Sequence, residues 1–178
     1  MELFDQLNQK HKDFIARQHI FFVATAGASG RVNLSPKGID SLRVTDCQTI
    51  HWLNFTGSGN ETAAHVLENK RMTIMWCSYD KQPLILRAYG DAEMISPNDK
   101  DWNTAAKSYP SLNGARQIFK LNIDLVQTSC GYGVPYMDYQ GERDTLDHWT
   151  NKKTPKELRA YQLEKNAKSL DGNDTGIE

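Results

Sequence analysis

The chain has 178 residues, enough for one domain with a sizeable core and hardly enough for two. It carries 21 basic and 22 acidic residues, so its charge favours neither a nucleic acid nor a membrane surface as a partner. The three cysteines are scattered and lack metal-ligand spacing, so the sequence predicts no metal site and a reducing compartment. The polar N-terminus has no secretory pattern, and no apolar run is long enough to cross a membrane. We therefore expect a cytoplasmic protein.

The first third of the chain is predicted to contain one helix followed by consecutive strands. Apolar residues between Leu3 and Ile15 recur at helical spacing and predict an opening helix. Four segments rich in β-branched and aromatic residues then predict strands. These segments are residues 19–26, 31–38, 41–46 and 47–55, and GASG at 27–30 is typical of the turn of a β-hairpin.

The remaining chain is predicted to return to strands after a short helix. Asn60 is predicted to cap that helix, and a strand follows at 71–79. Gly90 marks a bend within a long strand, and Ser96 followed by Pro97 predicts the start of another helix. The later predicted elements are the long strand at 83–96, a final strand at 116–129 and helices within 143–152 and 155–170.

This order of elements predicts a mainly β fold with peripheral helices. A dinucleotide-binding fold alternates strands with helices throughout, whereas here four strands come in succession. We therefore expect an antiparallel sheet, closed or half-open as a barrel. Residues 1–168 are assigned to a single domain, and the polar stretch 169–178 is predicted to be a flexible tail.

The segment NFTGSGNETAAHVLENKR, residues 54–71, is typical of the end of a strand, a turn and the start of a helix. The turn, residues 56–60, is called the glycine turn below. The first turn of a helix offers free N–H groups and the positive end of the helix dipole, which suit an anion. Gly57 and Gly59 permit close approach of the backbone, and Ser58 and Thr62 add hydroxyl donors. The turn is therefore a candidate phosphate site.

Three other interpretations of this turn can be compared with the residues, and the first of them fails. A P-loop requires a Lys followed by Ser or Thr, which GSGNET lacks. A dinucleotide fingerprint lacks its third glycine, although Asp80 lies at about the spacing of a ribose-binding acid. The third interpretation is an ordinary helix cap after a tight turn.

Taken together, the segments NLSPKG, TGSGNETAAHVLENKR, ILRAYGDAE and VQTSCGYGVP resemble the pyridoxamine 5′-phosphate oxidase-related proteins, the FMN-binding split-barrel family. The resemblance covers about residues 12 to 150. It implies an antiparallel split barrel, FMN as cofactor and a homodimer that closes the flavin site. Carried over residue by residue, it implies a cofactor site formed by Ser35, Lys37, Thr56, Gly57, Ser58, Asn60 and Thr62, with Gln127 and Ser129 as candidate contacts to the flavin edge.

Two departures argue against the biosynthetic oxidase itself. Gly59 and Asn60 stand where that enzyme carries a basic pair after the Gly-Ser of the turn, and its arginine-rich C-terminal segment is absent. The sequence therefore predicts an FMN-dependent oxidoreductase acting on another small organic substrate. The alternatives are a flavin-binding or sensor module without turnover and, with less support, a nicotinamide-binding protein.

Several residues have no assigned catalytic role. Arg87 lies in an apolar strand and is expected to point outward or to pair with an acid at a dimer interface. Cys130 is either a reactive thiol or an incidental loop cysteine, and His65 is expected on a helix surface. Four aromatic residues are candidates for the walls of a substrate pocket: Tyr132, Tyr136, Tyr139 and Trp149. For Trp149 the alternative is that it packs a helix on the barrel.

Overall fold

A computed structural model describes residues 1–178. The strands are β1 (Glu2–Phe4), β2 (Phe21–Thr25), β3 (Asn33–Lys37), β4 (Leu42–Val44), β5 (Thr49–Phe55), β6 (Arg71–Cys77), β7 (Ile85–Ile95) and β8 (Ala115–Ser129). The helices are α1 (Gln9–Ala16), α2 (Glu61–Asn69), α3 (Trp102–Ala106), α4 (Thr145–Asn151) and α5 (Pro155–Asn166). None of these helices combines the length and apolar character needed to span a bilayer.

All eight strands belong to one sheet with the order β3-β2-β6-β7-β8-β5-β4, and β1 adds to β8 beside this path. Every pairing is antiparallel. The sheet curves into a barrel that is split, because its two end strands, β3 and β4, do not pair with each other. The prediction of a mainly antiparallel split barrel with peripheral helices is confirmed.

The core lies inside the curved sheet. Burial alternates along β2, as expected for a strand with one face toward the core. A cluster of 19 buried apolar residues fills the interior and includes the fully buried Val23, Ile50 and Leu86. Burying each such side chain contributes about 1.5–3 kcal/mol to stability.

Gly90 bends the longest strand pair, as predicted. The pairing of β7 with β8 shifts register between Tyr89 and Gly90. A Cβ atom on Gly90 would lie 1.9 Å from the backbone oxygen of Asn122. Glycine is therefore required where the two backbones come close.

The N-terminus differs from the predicted opening helix. Leu3 and Phe4 lie in β1, which pairs with the end of β8, and α1 starts only at Gln9. The Asn8 side chain accepts from the backbone N–H of His11, and the His11 ring accepts from the backbone N–H of Asn8. This reciprocal cap fixes the start of the helix downstream of the residues that extend the sheet.

The helix predicted to begin at Pro97 also begins later. Residues 97–101 form turns, and α3 starts at Trp102. The Asp99 carboxylate accepts from the backbone N–H of Ser96 at 2.6 Å, so a side chain three residues later takes the donor of the predicted cap. The backbone N–H groups of Asp99 and Trp102 donate to the backbone oxygens of Ser96 and Asp99, three residues earlier in each case, so this stretch forms successive tight turns and not an α-helix.

Residues 169–178, predicted to be a flexible tail, make contacts that a loose tail does not make. Thr175 is 0% exposed, and Ser169 and Ile177 are also buried. The Thr175 hydroxyl donates to the backbone oxygen of Asn166 at the end of α5. Asp171 pairs with Arg31 on the β2–β3 hairpin. The contact with Arg31 could not be predicted from the short polar sequence, because Arg31 lies 140 residues earlier in the chain.

Candidate functional site

The split of the barrel opens into a polar cavity of about 570 Å³. Its walls are the inner side chains of β3, the end of β5, the turn before α2, the start of β8, and the end of α5 with the residues that follow it. The lining residues that matter below are Asn33, Ser35, Lys37, Trp52, Asn54, Gly57, Ser58, Asn60, Thr62, Arg116, Lys165 and Lys168. The cavity thus lies where the family resemblance placed a phosphate.

Six of the predicted cofactor-binding residues line this cavity, and they come from two separate segments of the chain. They are Ser35, Lys37, Gly57, Ser58, Asn60 and Thr62. A seventh, Thr56, is buried behind the turn: its hydroxyl donates to the backbone oxygen of Gly114 at 2.8 Å and accepts from Gln162 at 2.9 Å. Thr56 therefore supports the turn and does not face the cavity.

Asn60 precedes α2, as predicted, but its side chain does not cap the helix. Its Oδ1 instead accepts from Asn54 Nδ2 at 3.2 Å, and Asn54 Nδ2 also donates to Gln117 Oε1. These bonds orient the amides so that Asn60 Nδ2 and Gln117 Nε2 have no hydrogen-bond partner. A buried donor left without a partner costs free energy, and a ligand oxygen would relieve that cost at Asn60, which lines the cavity.

Arg116 reaches the cavity because of a β-bulge. The pairing of β5 with β8 passes from Asn54 opposite Gln117 to Phe55 opposite Ala115, which leaves Arg116 as the extra residue. A bulge redirects a side chain out of the regular alternation. The Arg116 side chain, in a residue only 6% exposed, donates to the backbone oxygen of Gly59 at 2.8 Å and to Asn54 Oδ1 at 3.3 Å. Its Nε has no partner.

Lys37 is the second cation of the cavity. Burial, reinforced by the neighbouring charge of Arg116, lowers the pKa of Lys37 to about 8. Burial also lowers the pKa of Arg116 to about 10. The Lys37 ammonium lies 5.0 Å from the centre of the Trp52 ring, and neither cation forms a salt bridge. Two partly desolvated cations without an acidic partner favour a bound anion.

Gln127 and Ser129 do not line the cavity. Both lie near the end of β8 on the face opposite the core, where Gln127 accepts from the Tyr89 hydroxyl and Ser129 accepts from Arg87. Arg87 therefore points outward, as one of its two interpretations required, and it has no acidic partner within the chain. Contact of these side chains with a cofactor stays a prediction.

The other singled-out residues lie away from the cavity. Asp80 follows β6 and binds Ser78 and the backbone of Gln82, so the dinucleotide interpretation lacks its ribose-binding acid here. His65 was expected on a helix surface, but it is buried and its ring lies 3.0 Å from the Thr25 hydroxyl. The reason is that α2 packs on β2 through this face.

The aromatic residues near the C-terminus do not form a pocket over the cavity. Tyr132 and Tyr136 are exposed, and Tyr139 stacks on His19. Trp149 packs edge-to-face on Tyr161, with ring centres 5.0 Å apart, so it joins α4 to α5. Cys130 is exposed, and the structure assigns it no function.

Sequence reasoning missed Arg116 and two lysines near the end of the chain, Lys165 and Lys168. Arg116 begins a strand of otherwise ordinary composition, and its role depends on a bulge against a distant strand. Lys165 and Lys168 reach the cavity only because α5 docks on the glycine turn. No local pattern signals either arrangement, since both depend on long-range contacts.

The fold and the cavity define a split-barrel protein with a cationic pocket at the opening of the barrel. A family model described as pyridoxamine 5′-phosphate oxidase matches residues 7–130. The chain is 36% identical over 192 residues to the pyridoxamine 5′-phosphate oxidase family protein ustO of Aspergillus flavus, with 95% of this chain and 75% of that protein covered. The chain belongs to the pyridoxamine 5′-phosphate oxidase family.

Solved structures with the same fold show more distant similarity. A putative pyridoxamine 5′-phosphate oxidase from Lactobacillus delbrueckii superposes with a TM-score of 0.57 at 20% identity, covering 70% of this chain and 95% of that chain. HutZ, described as a heme storage protein of Vibrio cholerae, superposes with a TM-score of 0.50 at 17% identity, covering 71% and 98%. At these identities the similarity shows the fold alone.

Proposed function

We propose that the chain is an FMN-binding protein that acts as a flavin-dependent oxidoreductase on a small organic substrate, and that the cavity holds the FMN phosphate. The observation that carries the proposal is that two partly desolvated cations, Lys37 and Arg116, lie at one cavity and neither forms a salt bridge. The one carboxylate in the lining, that of Glu61, accepts from the backbone N–H of Leu170. A phosphate dianion is the ligand that such a pair of cations favours.

The donors around the cavity fit a phosphate in kind as well as in charge. Asn60 Nδ2 and Arg116 Nε lack partners, Ser58 and Thr62 carry hydroxyls, and α2 starts at the turn. Phosphate oxygens accept from all of these groups. The sugar-like chain of FMN is polar, which suits a cavity whose lining includes only three hydrophobic residues.

The protein's part in the chemistry is binding and orientation. When bound, FMN would supply the redox step, because none of the side chains around the cavity is a redox group. Lys37 and Arg116 hold the phosphate, and Arg116 also fixes the turn through the backbone oxygen of Gly59. A fixed turn keeps the N–H groups of α2 in place before the ligand arrives.

The flavin site is proposed to be completed by a second copy of the chain. The outward face of β2, β6 and β8 carries half-buried apolar side chains, among them Phe22, Met75 and Leu125. Gln127 and Ser129 lie on the same face. Two-fold symmetry is the commonest arrangement of such assemblies. Analytical ultracentrifugation should give a dimer, and a sole species near the 20.2 kDa monomer mass would contradict this.

The phosphate assignment is tested by comparing FMN with riboflavin, which lacks the phosphate. A charge-assisted contact contributes about 1.5–3 kcal/mol, so Lys37→Ala should weaken FMN binding by about 10- to 100-fold. Riboflavin should bind the variant as it binds the wild type. Titration by flavin fluorescence measures both, with Lys81→Ala, an exposed lysine away from the cavity, as the matched control. Equal weakening of both flavins by Lys37→Ala would refute the assignment.

The identity of the ligand and the turnover need separate measurements. Mass spectrometry of the small molecule released on denaturation distinguishes FMN from FAD, a deazaflavin or heme. Recovery of heme instead of a flavin would overturn the proposal. Reduction by NAD(P)H followed by a screen of electron acceptors separates an oxidoreductase from a flavin-binding or sensor module, because only the first turns over.

A further inference from the structure

The segment from α5 to the C-terminus lies outside the residues that match the family model, 7–130. It nevertheless contacts the glycine turn through two side chains of α5. Gln162 Nε2 donates to the Thr56 hydroxyl at 2.9 Å, and Asn166 Nδ2 donates to the backbone oxygen of Gly57 at 2.9 Å. Gln162 and Asn166 are buried. These contacts place one face of α5 against the turn.

The residues after α5 fold back over the start of α2. The backbone N–H of Leu170 donates to the Glu61 carboxylate at 3.0 Å. The backbone N–H of Ser169 donates to the oxygen of Asn173, and that of Thr175 donates to the oxygen of Ala167. The end of the chain therefore forms a closed turn that rests on the helix start and not a free extension.

This docking brings two further cations to the cavity. Lys165 and Lys168 line it together with Lys37. Each forms an ion pair, Lys165 with Glu164 at 2.7 Å and Lys168 with Asp174 at 3.2 Å. All four side chains are more than half exposed, and exposed pairs of this kind are weak, so the lysines are free to exchange their partners for a stronger anion.

We propose that the C-terminal segment 155–178 is a wall of the ligand site and that Lys165 and Lys168 bind the phosphate of the ligand together with Lys37. This inference rests on the proposed function, since it names further residues of the same phosphate site. Gln162 and Asn166 act as positioning residues, because they hold α5 against the turn and do not face the cavity.

The test measures FMN affinity in charge variants of the two lysines. The double variant Lys165→Gln/Lys168→Gln should bind FMN about 3- to 30-fold more weakly, and its affinity should depend less on salt, because two charges no longer attract the phosphate. Riboflavin affinity should not change. Lys165→Glu/Lys168→Glu should weaken FMN further. Lys156→Gln, an exposed lysine on the same helix that does not line the cavity, is the control.

The flavin titrations distinguish a failure of this inference from a failure of the proposed function. If the wild type does not prefer FMN over riboflavin, the proposed function fails. If it prefers FMN, and Lys37→Ala weakens FMN while both double variants bind it as the wild type does, the inference about the C-terminal segment is overturned and the proposed function stands. Because Lys165 and Lys168 are exposed, the variants should keep the thermal midpoint of the wild type, which a melting curve confirms.

Discussion

Strand β8 contains two β-bulges, one against β7 and one against β5. Each bulge leaves one extra residue in β8 without a partner, and the two extra residues have different environments. Opposite Gly90 the extra residue is Asp124, which is exposed. Opposite the end of β5 the extra residue is Arg116, which is buried and donates to the glycine turn. The first bulge bends the barrel, and the second directs a cation into the cavity.

The difference shows which residue each bulge depends on. At the first bulge this residue lies in the partner strand, since only a residue without a Cβ lets the backbone of Gly90 approach Asn122. At the second it is the extra residue itself, because the side chain of Arg116 makes the contacts. Substitutions at the two bulges should therefore separate stability from ligand binding.

The largest effect is expected from Gly90→Ala. The added methyl group would lie 1.9 Å from the backbone oxygen of Asn122, so the two strands must move apart. We expect the free energy of unfolding to fall by about 3–5 kcal/mol, as for other changes that force the backbone to shift. Urea denaturation measures this. Gly133→Ala is the control, because nothing lies within 4 Å of its added methyl group, and a similar loss there would contradict the steric explanation.

The bulge at Gly90 could be predicted from the sequence, and the bulge at Arg116 could not. A glycine inside a long apolar strand is a local signal of a bend, and Gly90 was identified in this way. An arginine at the start of a strand has many explanations. Its role appears only when β5 and β8 are paired and the register shift is known.

The cavity divides in the same way between predictable and unpredictable residues. The turn with Ser58 could be identified because strand, glycines and helix start are adjacent in the sequence, and the family resemblance added Lys37. Lys165 and Lys168 could not, since α5 reaches the turn through single contacts with residues about a hundred positions earlier. The start of α2 was predicted, but the buried network that diverts the Asn60 side chain from capping was not.

A second prediction concerns the cost of burying the charge of Lys37, to which the neighbouring charge of Arg116 adds. The pKa of Lys37 in the folded state is about 8, below its ordinary value of 10.5, so the unfolded chain binds more protons between these pH values. The contribution of Lys37 to stability therefore rises with pH across this window, by up to about 3 kcal/mol. Lys37→Met removes the charge and should make the flavin-free protein more stable at pH 7.

Urea denaturation of the wild type and Lys37→Met from pH 7 to pH 10.5 measures this difference. The excess stability of the variant should shrink as the pH rises above 8. In that range Lys37 loses its proton in the folded wild type, so the wild type no longer buries a charge at this position. Cys77 and Tyr109, whose pKa values burial raises, titrate in both proteins and cancel in the comparison. A difference that does not change with pH would show that burial of the Lys37 charge is not its cause.

A third prediction tests the bulge residue at the site. Arg116→Met keeps the length of the side chain and removes its charge. FMN affinity should fall by about 10- to 100-fold, because a charge-assisted contact worth about 1.5–3 kcal/mol is lost. Flavin fluorescence titration measures this, with the exposed Arg143→Met as control. If riboflavin weakened as much as FMN, Arg116 would act only by holding the turn at Gly59.

The smallest effect is expected from Asp124→Ala, the counterpart of Arg116 at the other bulge. The Asp124 side chain is exposed and makes no hydrogen bond or salt bridge within the chain, so its loss should change the free energy of unfolding by less than about 0.5 kcal/mol. FMN affinity should stay that of the wild type, because Asp124 does not line the cavity. Urea denaturation and flavin titration of Asp124→Ala beside Arg116→Met compare the two extra residues directly. A loss of stability in Asp124→Ala close to that of Gly90→Ala would mean that the bend depends on the extra residue as well as on the glycine, and the distinction between the two bulges would then fail.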